Sequence, residues 1–299
     1  MYPLAILIGG PTATQKTRLA YEIQKKLPSI IINSDSMQVY NDLASLTNAP
    51  SNEEIRKYSC NLFKFIEYPE KCNVGLWFTN VLKVLSQTKE KIPIFVGGTG
   101  LYLESLYGKI SAIPEIPARV ETKIKNLHKK HGNSTFFRKL EQVDEIYSKK
   151  ISRNDTQRLL RAITVKIATG KNLTYWHGKV SKKVFKKIIY LTISVDRSKL
   201  YKNIDDRCLK IMKSNAVNEV SIFLKNKKKK IDHPLHKSIG FNVIQEYLMG
   251  TKTFKESLDL FKQETRRYAK RQITWFRNRP KEAIEMNFSD AKKYLLKNI

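Results

Sequence analysis

Apolar residues fall in two different rhythms along the chain. Residues 4–8 (LAILI) form a short continuous apolar run closed by Gly9, Gly10 and Pro11, the pattern of a strand buried on both faces. From Thr17 the rhythm changes: Leu19, Ile23 and Leu27 recur at four-residue spacing, which places them on one face of a helix. A second apolar run at residues 30–32 follows directly, so the segment predicts a strand, loop, helix and strand in parallel crossover. The pattern returns at residues 92–96, where IPIFV runs into Gly97, Gly98, Thr99, Gly100 and then LYLESLYG, and a further strand is predicted over residues 188–195. Residues 114–186 hold no comparable run and are dense in Lys, Arg, Glu and Gln at helical spacing. From Asp196 the chain reads as helices again, including a long basic one over about residues 253–277. The fold class expected is therefore α/β, a parallel sheet core interrupted by an all-helical insertion. The core takes residues 1–113 and 187–299 with its C-terminal helices, and the insertion takes 114–186.

Charge adds a partner to this picture. The 299 residues carry 56 Lys+Arg against 27 Asp+Glu, a net charge of +29, while 41% of positions are apolar, which excludes a disordered polycation. Such a balance opposes compaction by self-repulsion and points to a polyanion, nucleic acid ahead of an anionic membrane. Much of the excess is Lys rather than Arg, which also suits plain solvated surface; the lysine run at residues 227–230 reads first as a solvated loop. Cys60, Cys72 and Cys208 are odd in number, widely separated and without a C-x-x-C, so they are expected as reduced thiols. The first residues, MYPLAILIGG, lack a basic region and end in glycine too soon for a signal peptide or a spanning helix. A cytoplasmic protein without a membrane partner is expected.

Between the first strand and the first helix the chain reads Gly10, Pro11, Thr12, Ala13, Thr14, Gln15, Lys16, Thr17. A phosphate-binding loop of the form G-x-x-x-x-G-K-[ST] aims backbone N–H groups and a helix N-terminus at an anion, with Lys neutralising charge and Ser/Thr holding Mg²⁺. Gly10, Lys16 and Thr17 match that form, giving the core a P-loop NTPase-like character, but Gln15 stands where the second glycine belongs. A side chain there strains the backbone or crowds a bound phosphate, and the alternative is an ordinary strand-to-helix turn. Asp35, in IIINSDSMQVY, is the one acid at the tip of an early strand, where open α/β sheets bind ligands. It suits a general base or an indirect metal ligand; alternatively Asn33, Ser34 and Asp35 simply form a turn. His128 with His131, and His233 with His236, are spaced i, i+3, yet no neighbouring acid or Cys completes a metal site, which favours solvent-facing or capping roles.

Seven strings in order, GPTATQKT, NSDSMQVYNDL, LTNAPSNEE, PIFVGGTGLYL, NDTQRLLRA, the pair Thr169 and Gly170, and TRRYAKRQITWFR, resemble the tRNA dimethylallyltransferase family over about residues 4–277. The resemblance implies transfer of a dimethylallyl group from dimethylallyl diphosphate to N6 of an adenosine next to the anticodon of tRNA. It implies Asp35 as the base, with Ser36, Met37 and Gln38 facing the RNA. It places Gly10 to Thr17 around the diphosphate, with Lys16 as point charge and Thr17 on Mg²⁺. Arg207, in LYKNIDDRCLKIM, matches an arginine associated with the diphosphate, and Thr99 a position that meets the substrate nucleotide. For the tRNA anticodon stem-loop it implies Arg119 and the stretch Gln157, Arg158, Leu159, Leu160, Arg161. In the last long helix Arg266 with Lys270 and Arg267 with Arg271 form two i, i+4 pairs that suit either RNA contact or a solvated basic face.

The sequence departs from the family at YSCNL, where His-His-Leu is usual, at AITV in place of Ala-Leu-Glu-Val, and at Gln15. From sequence alone, Gln15→Gly is expected to lower the KM for the prenyl donor or raise kcat. Two alternatives stay open at this point: a tRNA-binding homologue whose catalysis lapsed through Gln15, and an ATP-dependent phosphotransferase using the same loop. A monomer is expected.

Overall fold

The computed structural model describes residues 1–108, 111, 113–179, 183–226, 233–278 and 282–299; the lysine run at 227–230 lies outside the described residues. The chain divides into two compact units, Met1–Tyr107 with Val184–Ile299, and Gly108–Lys183.

The first unit is built on six parallel strands, β1 (Tyr2–Gly9), β2 (Ser29–Asn33), β3 (Cys60–Asn61), β4 (Ile92–Val96), β5 (Phe185–Ile193) and β6 (Ile284–Met286), in the order β3-β2-β4-β1-β5-β6. The four strands expected from apolar runs are all present, and the first helix begins at Lys16. β5 starts three residues earlier than its apolar run, because Phe185 is buried opposite Tyr2 while the two lysines after it are exposed and break the pattern. Residues 185 and 186 thus belong to the sheet. The region after Asp196 is not purely helical as expected: β6 adds an edge to β5. β3 and β6 have two and three residues and pair along one side only, so no buried run marks them in the sequence.

Alternation along the central strands splits the apolar residues between two layers. Ala5, Leu7, Ile30, Ile32 and Phe95 face one way, onto Trp77, Val81 and Leu85 of the helix Val74–Gln87 and onto the C-terminal helices. Ile6, Ile8, Ile31, Ile94 and Val96 face the other, onto Leu19, Ala20 and Ile23 of the helix Lys16–Gln24 and Ala291 and Leu295 of the helix Phe288–Asn298. The result is a three-layer α/β/α core with the strand tips left for chemistry.

The second unit is helical. Its two long helices, Ala118–Val143 and Thr156–Thr169, pack through Ile124, Phe136, Phe137, Leu140, Leu159, Ile163 and Val165. The first bends at Gly132, whose φ of 71° is left-handed, and the second ends at Gly170, also at φ 71°. Buried Asp144 joins the short helices of this unit by accepting from Tyr147 N (3.2 Å) and from Thr174 N (2.9 Å).

Among the described residues no helix is long and apolar enough to cross a membrane. All three cysteines are free. His233 is a capping residue, accepting from Leu235 N at 3.2 Å, while its Nε2 meets Glu70 O at 2.8 Å.

Candidate active site

The tips of β1, β2 and β4 are in register, Ile8 opposite Val96 and Val96 opposite Asn33, so the loops that follow them converge. A cavity of about 620 Å³ opens there. It is lined by Thr12, Ala13, Gln15, Lys16 and Thr17 after β1, by Asp35, Ser36, Met37 and Gln38 after β2, and by Asn203, Asp206, Arg207, Tyr268, Arg271 and Gln272 from helices after β5.

Glycine opens the first loop for a steric reason. Gly10 has φ +134°, and a Cβ there would sit 2.8 Å from Ile193 O. Ala13 (φ 64°) and Gln15 (φ 62°) then take left-handed conformations, the second in the position that glycine would occupy. Gln15 keeps the backbone path, and its Oε1 accepts from Arg18 Nη1 at 3.1 Å. Inside the loop Thr14 Oγ1 donates to Pro11 O (2.9 Å), and Lys16 Nζ donates to the same carbonyl at 2.5 Å. The loop is also tied to distant helices: Thr12 N donates to Gln272 Oε1 (2.8 Å), and Asn203 Nδ2 donates to Ala13 O (3.1 Å).

Desolvation pushes the Lys16 pKa down to about 7; the Asp35 carboxylate pulls it back up and the Arg207 guanidinium adds to the fall. Burial lowers the Arg207 pKa as well, again opposed by Asp35. The cleft therefore holds two buried basic groups whose charged forms desolvation disfavours, and an anion brought beside them would favour those forms. Thr17 lines the same cavity. Among the described residues no cluster of three His, Cys, Asp or Glu could hold a metal by itself. Mg²⁺ takes most of its ligands from phosphate oxygens and water, so one hydroxyl beside a diphosphate site is a fitting protein share.

The two carboxylate oxygens of Asp35 differ in their surroundings. Asn33 folds the turn, its Oδ1 accepting from Asp35 N (2.8 Å) and its Nδ2 donating to Asp35 O (3.0 Å), and Asp35 Oδ1 caps Met37 N at 2.9 Å. Oδ2 has no hydrogen bond among the described residues and belongs to a side chain lining the cavity. The turn read from the sequence is present, and it leaves one carboxylate oxygen of Asp35 outside its hydrogen bonds.

The glycines after β4 permit close approach. A Cβ on Gly97 would lie 2.2 Å from the Ser34 carbonyl, and one on Gly100 would lie 2.0 Å from the Trp275 ring. Thr99 uses its hydroxyl on Ser36, accepting from Ser36 N at 2.9 Å and donating to Ser36 Oγ at 3.2 Å, so its immediate contact is the DSMQ turn.

The residues predicted in the second unit belong to its own helices. Arg119, Gln157, Arg158 and Arg161 are exposed. Leu159, predicted beside them, is fully buried in the helical core, where its side chain packs. Leu160 packs partly buried against the same core. In the helix Phe254–Asn278 Arg266 is committed to Asp205 and lies over the Tyr201 ring, whereas Arg267, Lys270 and Arg271 are exposed.

Gln272 is the residue that sequence reasoning missed. It is buried, takes Thr12 N and donates to Gly98 O at 3.0 Å, joining two loops of the cleft. Its signal was present: Thr265, Ala269, Gln272 and Phe276 form the buried stripe of one helix, and an amide on such a stripe needs partners.

The chain matches the family model described as IPP transferase over residues 38–279. It is 39% identical over 286 residues to a tRNA dimethylallyltransferase of Pelagibacter ubique, covering 94% of this chain and 91% of that one. A tRNA dimethylallyltransferase of Bartonella henselae is 39% identical over 277 residues, covering 91% of this chain and 94% of the relative. Among solved structures, a eukaryotic dimethylallyltransferase described as acting on tRNA superposes with a TM-score of 0.79 at 23% identity, over 98% of this chain and 75% of that one, which establishes the shared fold. A phosphate-type loop facing a strand-tip carboxylate, on a fold and a sequence shared with these relatives, places the chain in the tRNA dimethylallyltransferase, or IPP transferase, family.

Proposed function

We infer that this protein is a prenyltransferase that moves a dimethylallyl group from dimethylallyl diphosphate to N6 of an adenosine beside the tRNA anticodon and releases diphosphate. The observation that carries the reading is the opposition of Asp35 to Lys16 and Arg207 around one cavity. An exocyclic adenine amine is a poor nucleophile because its lone pair is delocalised into the ring, so a base that removes its proton as the N–C bond forms lowers the barrier. Asp35 Oδ2 takes that proton. As the C–O bond to diphosphate breaks, negative charge grows on the leaving oxygen, where Lys16, Arg207 and the loop N–H groups receive it. Thr17 would hold Mg²⁺ against the diphosphate, which supplies further charge neutralisation. Ser36, Met37 and Gln38 line the side on which the base enters, and a base taken out of its stack into this cavity reacts away from water.

The helical unit, with exposed Arg119, Gln157, Arg158 and Arg161, is proposed to contact the tRNA backbone. The protein is proposed to act as a cytoplasmic monomer. The phosphotransferase alternative finds no counterpart among the relatives' names, and the lapsed-enzyme alternative is weakened by Gln15 keeping the glycine backbone path. The test is incubation of the protein with Mg²⁺, dimethylallyl diphosphate and unmodified tRNA, followed by mass spectrometry of the nucleosides. Prenylated adenosine is expected; its absence, with ATP turned over instead, would overturn the reading.

A further inference from the structure

The helix Ala44–Thr47 is a single turn and cannot hold itself. Leu43 enters it at φ 59° without a side-chain cap, and Asn48 leaves it at φ 53°, both left-handed. Its support comes from far along the chain: the carboxylate of Glu219, in the first turn of the helix Ala216–Asn226, accepts from Ser45 N at 2.9 and 3.2 Å and from Ser45 Oγ at 2.7 Å. Ser45 N is an orphan donor of the short turn, so Glu219 acts as its N-terminal cap, supplied from outside.

The other end of that turn meets the reaction cavity. Thr47 O accepts from Gln38 Nε2 (3.1 Å) and from Arg207 Nη2 (3.3 Å), and Asn48 O accepts from Gln38 Nε2 (2.8 Å). Two carbonyls can be met only by the NH₂ end of an amide, which fixes the flip of Gln38 and leaves Oε1 as its free acceptor. Thr47, Asn48, Gln38 and Arg207 all line the cavity.

We infer that Glu219 is a positioning residue for prenyl transfer: by capping Ser45 it sets the Thr47 and Asn48 carbonyls that orient Gln38 toward the substrate base. Glu219 lies outside every string that marks the family in the sequence. The inference rests on the transferase reading above.

The test is a kinetic cycle on the full-length chain with Glu219→Ala, Gln38→Ala and the double variant, plus Glu219→Gln. Glu219→Ala is expected to raise the KM for tRNA about five- to tenfold, with kcat changed less, and to add little to Gln38→Ala. Glu219→Gln is expected to stay within about twofold of wild type, because an amide oxygen still accepts from Ser45 N. If Glu219→Ala does not fold, Ser45→Ala removes the hydroxyl arm alone and should raise the same KM about twofold, again only when Gln38 is present. Effects that multiply in the double variant, or a Glu219→Gln as impaired as Glu219→Ala, would overturn the positioning role while leaving the transferase reading intact. A wild-type protein that transfers nothing would instead overturn that reading, and this inference with it.

Discussion

Gln15 looked like the weakest point of the chemistry, and its geometry gives a different expectation. The left-handed conformation costs a non-glycine residue about 1 kcal/mol, and Gln15 adopts it where glycine would take it without strain. Its side chain is engaged by Arg18, which also pairs with Glu22 (3.3 Å) and lies 5.6 Å from the centre of the Phe288 ring, while Lys292 meets Glu22 at 2.6 Å. Gln15→Gly is accordingly expected to leave kcat and the KM for the prenyl donor within about threefold of wild type, the scale of a surface change. A tenfold gain in steady-state kcat/KM would restore the view that Gln15 crowds the phosphate. Asp35→Ala is expected to lose transfer by at least about a hundredfold while tRNA affinity, read by equilibrium binding, holds. Lys16 gives a signed pH effect. With its pKa lowered to about 7 it is mostly neutral at pH 8 in the free protein, and an incoming polyanion favours its charged form. Diphosphate binding near pH 8 should therefore take up close to one proton more in wild type than in Lys16→Met. Calorimetry in buffers of different ionisation enthalpy measures that difference.

The long helix Phe254–Asn278 shows how one element serves core and cleft together. Its buried stripe sends Phe276 against Gly9 and Gln272 between the phosphate-type loop and Gly98, while the half-buried Trp275 beside them lies against Gly100. Gly100 is thus a contact requirement. Gly100→Ala is expected to lose about 1–3 kcal/mol of stability through overpacking against Trp275, measured by urea denaturation. Periodicity made this helix legible to within a residue at each end, and the continuous apolar runs made β1, β2 and β4 legible for the same local reason. It failed at β3 and β6, because a two- or three-residue edge strand has too few side chains to carry a period. At Leu159 the motif match and the helical spacing point different ways, and the side chain follows the spacing into the core.

Across the molecule, the net charge of +29 divides into cations with different work. Lys16 and Arg207 face the cavity, Arg266 is bound to Asp205, and Arg119 and Arg161 stand exposed on the helical unit. If Arg119 and Arg161 neutralise phosphates, replacing either by Ala should reduce the slope of log affinity for tRNA against log salt by about one. Fluorescence anisotropy across a KCl series reads the slope, and an unchanged slope would assign that arginine to plain surface. The sequence by itself determined the parallel core, the helical insertion and the chemical strings, because strand and helix patterns and loop motifs are written in neighbouring residues. Only the tertiary structure decided which atoms meet: Arg207 on the Thr47 carbonyl, Gln272 on Thr12, Glu219 under Ser45. A hydrogen bond is made or lost over a few tenths of an ångström, and no local pattern records which distant residue will close that gap.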